Sequence, residues 1–193
     1  NNTAEPMVKK RILILITAFI LGIGVGTGIY FVLKSQGAYI SSFARWNKYT
    51  HTYTIGSEQV TFTLKKKKLS ITDSSNSLLY NTPDGVYVSD AFCQDIDRDG
   101  SPEIILMTWK RGSYGKHKPI WITEDTDEFT QHIFIYDWDP QRKDRLDPLW
   151  MSSALGIKVR SISIDEKNRI HLTDTDGKET VWEWGSWGLV EAE

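Results

Sequence analysis

Asp95-Ile96-Asp97-Arg98-Asp99-Gly100-Ser101-Pro102-Glu103-Ile104-Ile105 sets three aspartates at alternate positions, then a glycine, a glutamate and the start of an apolar run. Carboxylates this close repel one another unless a hard cation neutralises them. Ca²⁺ accepts roughly six to eight oxygen ligands in irregular geometry and suits such a loop. By loop position, Asp95, Asp97 and Asp99 supply the first, third and fifth places. Gly100 allows the sharp turn at the sixth, Ser101 offers its backbone carbonyl at the seventh, and Glu103 falls at the ninth. An EF-hand would also need a glutamate at the twelfth place, where Leu106 stands, and a helix on either side. Ile104–Trp109 is instead an apolar, aromatic-ended run of strand length. The stretch is a cation loop feeding a β-strand, and an EF-hand is excluded.

The arrangement D-x-D-x-D-G-x-x-E followed by Ile-Ile resembles the calcium loops of FG-GAP/VCBS-type repeats, the repeats of integrin-like β-propellers. The resemblance is sharp over Asp95–Trp109, diffuse over Leu69–Leu189, and does not reach the first fifty residues. It implies that the loop joins strands of a propeller blade and that calcium is a structural cofactor. A faint internal repeat agrees with it. Leu69–Asp73, Leu79–Asn81 and Val86–Trp109 run in the same order as Ile133–Asp137, Leu149–Met151 and Ile157–Thr173. The second copy carries Asp165-Glu166-Lys167-Asn168-Arg169-Ile170 in place of the aspartate ladder, so it is expected to bind no ion. Blades of roughly 40–50 residues allow about three units in this length. That is too few for a closed propeller, which typically has about four to eight. The expected fold is therefore mainly β: a blade-like antiparallel domain, either an incomplete propeller or a sandwich, behind one N-terminal transmembrane helix.

Strand signals run through Thr52–Ile55, Val60–Leu64, Lys68–Thr72, Val86–Ser89, Ile104–Trp109, Ile120–Thr123, His132–Trp138, Lys158–Ile164, Arg169–Thr173 and Glu179–Trp184, with Asn, Asp, Gly and Pro between them. Lys65–Lys68 falls at a hairpin tip, where four lysines read as a solvated turn. Ahead of the strands, Ile12–Leu33 is 22 residues without a charge. At about 1.5 Å per residue it crosses roughly 30 Å of hydrocarbon. Lys9, Lys10 and Arg11 precede it and only Lys34 follows closely, so the positive-inside bias puts residues 1–11 in the cytoplasm and everything after the span outside. The run is too long for a signal-peptide core and lacks an A-x-A-like site after it, which favours an uncleaved anchor. Ala18, Gly22 and Gly26, and separately Gly24 and Gly28, repeat at spacing four and create a stripe where another helix backbone could approach. Residues 34–50 read as a juxtamembrane stalk, amphipathic through Ile40, Phe43, Ala44 and Trp46, and 51–193 as the β-domain with two blade-like repeats.

Of 23 basic residues, 19 lie beyond Lys34, and of 25 acidic residues all but Glu5 do, so the outer part carries a net charge of about −5, unfavourable for nucleic acid. The lone Cys93 cannot form an internal disulfide and is expected to pack as a small hydrophobe beside the loop. No N-x-S/T sequon follows the span, which favours a bacterial envelope. The four histidines show no metal-ligand spacing, and no nucleophile elbow or Walker loop is present. Asp125/Asp127, Asp137/Asp139 and Asp174/Asp176 could each serve glycoside hydrolysis but fit turn chemistry equally well. All eight tryptophans follow the span. Trp184 and Trp187 at the C-terminal end, with Arg111, Tyr114 and Trp121 around the Lys110–Trp121 loop, are the candidate contacts for a partner or a glycan. The expectation is a non-catalytic, plasma-membrane-anchored accessory or scaffold subunit of a cell-envelope complex, with polysaccharide synthesis or export as its setting. Its membrane partner would be another protein or a second copy packed on the glycine stripe. A glycan-binding adhesin or sensor, and a carbohydrate-active hydrolase, are the alternatives.

Overall fold

The structure, a computed structural model, describes residues 4–35, 40–114, 120–142 and 145–192. It divides into an N-terminal unit, Asn1–Ile40, and a β-unit, Ser41–Glu193. In the first, α1 spans Ala4–Ser35, and its segment Ile12–Leu33 has mean hydropathy 2.5 with every side chain exposed. Both threonine hydroxyls in that segment are satisfied internally: Thr17 donates to the Leu13 carbonyl at 2.9 Å and Thr27 to the Ile23 carbonyl at 2.8 Å. These bonds keep the threonine hydroxyls compatible with an apolar surrounding.

The β-unit is three antiparallel four-stranded sheets, each a meander of consecutive strands. Sheet 1 holds β1 (Tyr49–Ile55), β2 (Glu58–Lys65), β3 (Lys68–Asp73) and β4 (Leu78–Asn81). Sheet 2 holds β5 (Tyr87–Gln94), β6 (Glu103–Arg111), β7 (Phe129–Trp138) and β8 (Leu146–Met151), and sheet 3 holds β9 (Val159–Ile164), β10 (Ile170–Asp174), β11 (Glu179–Trp184) and β12 (Leu189–Glu191). The internal repeat falls on equivalent strands. β3, β4, β5 and β6 of the first copy correspond to β7, β8, β9 and β10 of the second, so the two loops compared in the sequence occupy the same place in sheets 2 and 3.

Sheet 2 is the middle layer. Ile104 and Leu106 of β6 join Phe62, Leu64, Leu69 and Ile71 of sheet 1 in one core, while Ile105 and Met107 join Val159, Ile162, Ile170 and Leu172 of sheet 3 in another. Covering on both faces is why β6 reads as an unbroken apolar run rather than an alternating one. The outer faces are polar. On sheet 1, Thr50 and Thr63 pair at 3.5 Å and Thr52 and Thr61 at 3.0 Å; on sheet 3, Ser163 stands opposite His171, and Ser161 and Glu179 flank Thr173. These faces end the stack as polar caps end a solenoid, and the described residues form no closed propeller.

Four expectations change. Ile120–Thr123 forms no strand, because β6 pairs directly with an extended β7, Arg111 opposite Phe129, and Ile120 and Trp121 are left exposed. β4, β8 and β12 are strands that propensity underweights: β4 and β12 are short, and β8 carries Pro148, which an edge strand tolerates. Residues 40–48 contain no helix; Phe43 and Trp46 rest on the Trp109 ring at 5.6 and 6.4 Å, and Asn47 N–H bonds the Ser89 carbonyl at 3.1 Å. The segment straps the β-unit instead of standing clear of it. The lysine turn is only half solvated, for Lys67 lies 4.6 Å over the Trp46 ring and Lys68 donates to the Pro83 and Val86 carbonyls.

Candidate metal centre

The loop between β5 and β6 is held by its own acids. Asp97 Oδ1 accepts the Asp99 N–H at 3.1 Å, Asp99 Oδ1 the Ser101 N–H at 2.7 Å, and Asp95 Oδ2 the Gly100 N–H at 3.1 Å. Arg98 at φ +65° and Gly100 at φ +97° make the tight reversal these bonds need. Ile96 turns inward, 2% exposed, and anchors the loop in the sheet 2–sheet 3 core. Glu103, 1% exposed, reaches back from the start of β6, and its Oε2 accepts the Ile96 N–H at 2.7 Å and the Asp97 N–H at 3.4 Å.

One carboxylate oxygen from each of Asp95, Asp97, Asp99 and Glu103 lies within 4.8 Å of the others. Burial first, then the Asp97 and Asp95 charges, push the Glu103 carboxyl up to about 7. Asp95 Oδ1 is buried with no hydrogen-bond donor among the described residues. A lone buried acceptor costs on the order of 1–3 kcal/mol, and a cation would both satisfy it and relieve the repulsion. The donor set is all oxygen, so the residues fit a hard divalent ion. Ser101 is exposed at the mouth of the loop, with its carbonyl expected on the ion. Asp137 was not read as part of this neighbourhood. It stands on β7, and burial followed by the Asp97 and Asp99 charges raises its carboxyl, which places it in the same field. Its sequence signal was hidden because cross-strand position, not spacing, brings it there.

Compared with protein-family models, with curated proteins and with solved structures, the chain matches none significantly.

In the equivalent loop of sheet 3 the acid is paired with basic side chains. Asp165 Oδ1 accepts the Lys167 and Arg169 N–H groups, and Oδ2 accepts Arg169 Nε at 2.9 Å and lies 3.1 Å from His171 Nε2. A guanidinium and an imidazole stand where a cation would, and the Asp165 carboxyl is held well below the usual range, first by the Arg169 N–H. The two loops also touch: Arg98 Nη2 donates to the Lys167 carbonyl at 3.2 Å and Gln94 Nε2 to Asn168 Oδ1 at 2.6 Å. Cys93, free and half-buried, packs against the sheet 1–sheet 2 core beside the loop, and burial pushes its thiol up to about 12.

In the other acidic pairs, Asp125, Asp139 and Asp174 are engaged in turns. Asp125 accepts the Ser113, Tyr114 and Thr126 N–H groups, and Asp127 pairs with Arg111 at 2.9 Å. Asp139 accepts the Gln141 N–H, and Asp174 those of Asp176 and Lys178. Among the expected contacts, Trp121 and Trp187 are 77% and 82% exposed. Arg111 is committed to Asp127 and lies 4.8 Å over the Phe129 ring, Tyr114 is half-buried in the Asp125 clasp, and Trp184 packs into the sheet 2–sheet 3 core. Lys116, His117 and Lys118 lie outside the described residues. Trp150 and Trp182 line a cleft of about 350 Å³ with Leu155, Ile157, Leu172 and Leu189. In the helix, a Cβ on Gly22, Gly24, Gly26 or Gly28 would meet no atom within 4 Å, and Ala18 is likewise exposed.

Proposed function

We propose that the protein is a non-catalytic module with an N-terminal membrane anchor, whose β-domain is a stack of three propeller-blade-like sheets stabilised by one Ca²⁺, and that it works by contact as an accessory or scaffold subunit of an envelope complex. The observation that carries this reading is the four-carboxylate loop with the orphaned Asp95 Oδ1. The resemblance to FG-GAP/VCBS-type loops supports calcium over other hard ions. Asp95, Asp97, Asp99, Glu103 and the Ser101 carbonyl are its ligands, and Arg98 and Gln94 carry its effect to sheet 3. Metal is thus spent on rigidity where sheets 2 and 3 meet. The polar outer faces mean that the stack needs no further sheet packed on either end. Association therefore belongs to loop surfaces and to the anchor, with N-terminus inside and β-domain outside, packing through Ala18, Gly22 and Gly26 or through Gly24 and Gly28.

Equilibrium calcium titration of the full chain in detergent tests the reading. One site with Kd on the order of 10⁻⁴–10⁻³ M is expected, lost on Asp97→Asn. No binding at millimolar Ca²⁺ refutes it. Glycan binding is a second reading, favoured by the cleft between Trp150 and Trp182, whose indole faces can stack on the C–H face of a sugar while Lys178, Thr180 and Glu191 offer polar partners. Saturable quenching of tryptophan fluorescence by oligosaccharides, abolished by Trp182→Ala, would favour this reading.

A further inference from the structure

Two buried side-chain polar atoms have no partner among the described residues, Asp95 Oδ1 and Trp109 Nε1. The first is an acceptor and suits a cation. The second is a donor. It belongs to a residue 3% exposed near the far end of β6, about 20 Å along the strand from Glu103. Trp109 lines a cleft of about 160 Å³ that β5, β6 and β9 share with the strap.

The polar groups of this cleft are unbalanced. Its carboxylate, Asp90, already accepts from Asn47 Nδ2 at 2.6 Å, the Ala91 N–H at 2.9 Å and the Tyr49 hydroxyl at 3.4 Å. Gln131 is spent on Val159, donating to its carbonyl at 2.7 Å and accepting its N–H at 2.8 Å. Ser89 donates to the Met107 carbonyl. The uncommitted charge here is all positive: the exposed guanidiniums of Arg45 and Arg160 have no hydrogen-bond or ion-pair partner among the described residues, and beside them stand the unpartnered Trp109 indole N–H, the Ser161 hydroxyl and the Asn47 amide oxygen. The backbone is irregular here too. The β5–β6 register shifts between Val88 and Asp90, and such bulges re-aim side chains beside functional sites.

We propose that this cleft binds a small oxyanion, a carboxylate or phosphate group, clamped between Arg45 and Arg160. A guanidinium matches either group with two parallel N–H bonds. The volume is below the roughly 300 Å³ of a drug-sized pocket, so it takes one anionic group and not a polymer chain. The site is separate from the metal loop, and its ligand is independent of calcium.

Calorimetric titration of the full chain in detergent, at fixed ionic strength, with inorganic phosphate, glucuronate and chloride tests it. One saturable site for phosphate or glucuronate is expected, with a shift of the Trp109 indole N–H resonance, assigned by its absence in Trp109→Phe. Arg45→Gln and Arg160→Gln should each weaken binding by at least about tenfold, the loss of one charge-assisted hydrogen bond, and leave the calcium response unchanged. Phosphate alone binding assigns a phosphoester ligand, glucuronate alone a carboxylate, and competition between them a shared subsite. Binding of neither anion more tightly than chloride, or equal binding by both arginine variants, overturns the proposal.

Discussion

Replacing Asp97 by Asn should change sign with metal. The amide keeps an oxygen for the Asp99 N–H that Asp97 Oδ1 accepts at 3.1 Å, so the turn survives while one charge is removed. Without calcium that charge only harms, because it helps to push the buried Glu103 carboxyl up. Its removal should stabilise by about 0.2–1 kcal/mol, the scale of a partly exposed charge pair. With calcium the same oxygen is a ligand. At 10 mM Ca²⁺ and a Kd on the order of 10⁻⁴–10⁻³ M, wild type gains about 1.4–2.7 kcal/mol. At about 2–4 °C per kcal/mol for a domain of this size, its melting temperature rises roughly 3–11 °C. Loss of an outer-shell partner alone costs about tenfold in affinity, so loss of a direct ligand should remove at least about 1 kcal/mol of that gain. Thermal melting of wild type and Asp97→Asn, each in EDTA and in 10 mM Ca²⁺, gives the four values needed. The variant should melt higher than wild type in EDTA and lower in calcium. Equal destabilisation under both conditions, or a wild-type melt blind to calcium, refutes the assignment.

Phe62, fully buried where sheets 1 and 2 meet, should cost about 3–5 kcal/mol on mutation to Ala in urea unfolding, and a loss under 1 kcal/mol would mean that the two sheets are not packed as described. His171 is raised above its ordinary value first by Asp165 and then by Glu179, so its contribution is complete below about pH 6.5 and disappears as pH rises through the higher folded value. Wild type should therefore exceed His171→Asn in stability more at pH 5.5 than at pH 9; parallel profiles would contradict the bridge. Gly112 sits at φ +85° with a Cβ position 2.5 Å from Asp125 Oδ2, so Gly112→Ala should destabilise by at least about 1 kcal/mol and expose the Ser113–Asp125 loop to protease. For the proposed anchor, Gly22→Leu or Gly24→Leu should abolish cross-linking to a second helix in membranes, whereas cross-linking retained by both variants would remove the glycine stripes from the mechanism.

Much of this was legible before any coordinates, for reasons of local chemistry. An uncharged 22-residue run states its own length against a bilayer. The aspartate ladder states its own turn, because Asp97 and Asp99 each bond the N–H two residues on. β6 was visible as a strand because both its faces are covered. Ile120–Thr123 carried the same propensity and failed, since β7 occupies the edge of β6 that a strand following it in the chain would take. What no linear pattern could disclose are relations across strands. Asp137 enters the field of the metal loop from β7, Arg169 and His171 discharge Asp165, and Trp184 is half-hidden in a core while Trp182 borders a cleft. By itself the sequence determined the long apolar helix, the β class and the acidic loop, because helix length and turn geometry depend on neighbours in the chain. The order of the sheets, their polar end faces, and the cleft where Trp109 and two arginines lack acceptors were decided only by tertiary structure, because burial and charge pairing depend on neighbours in space.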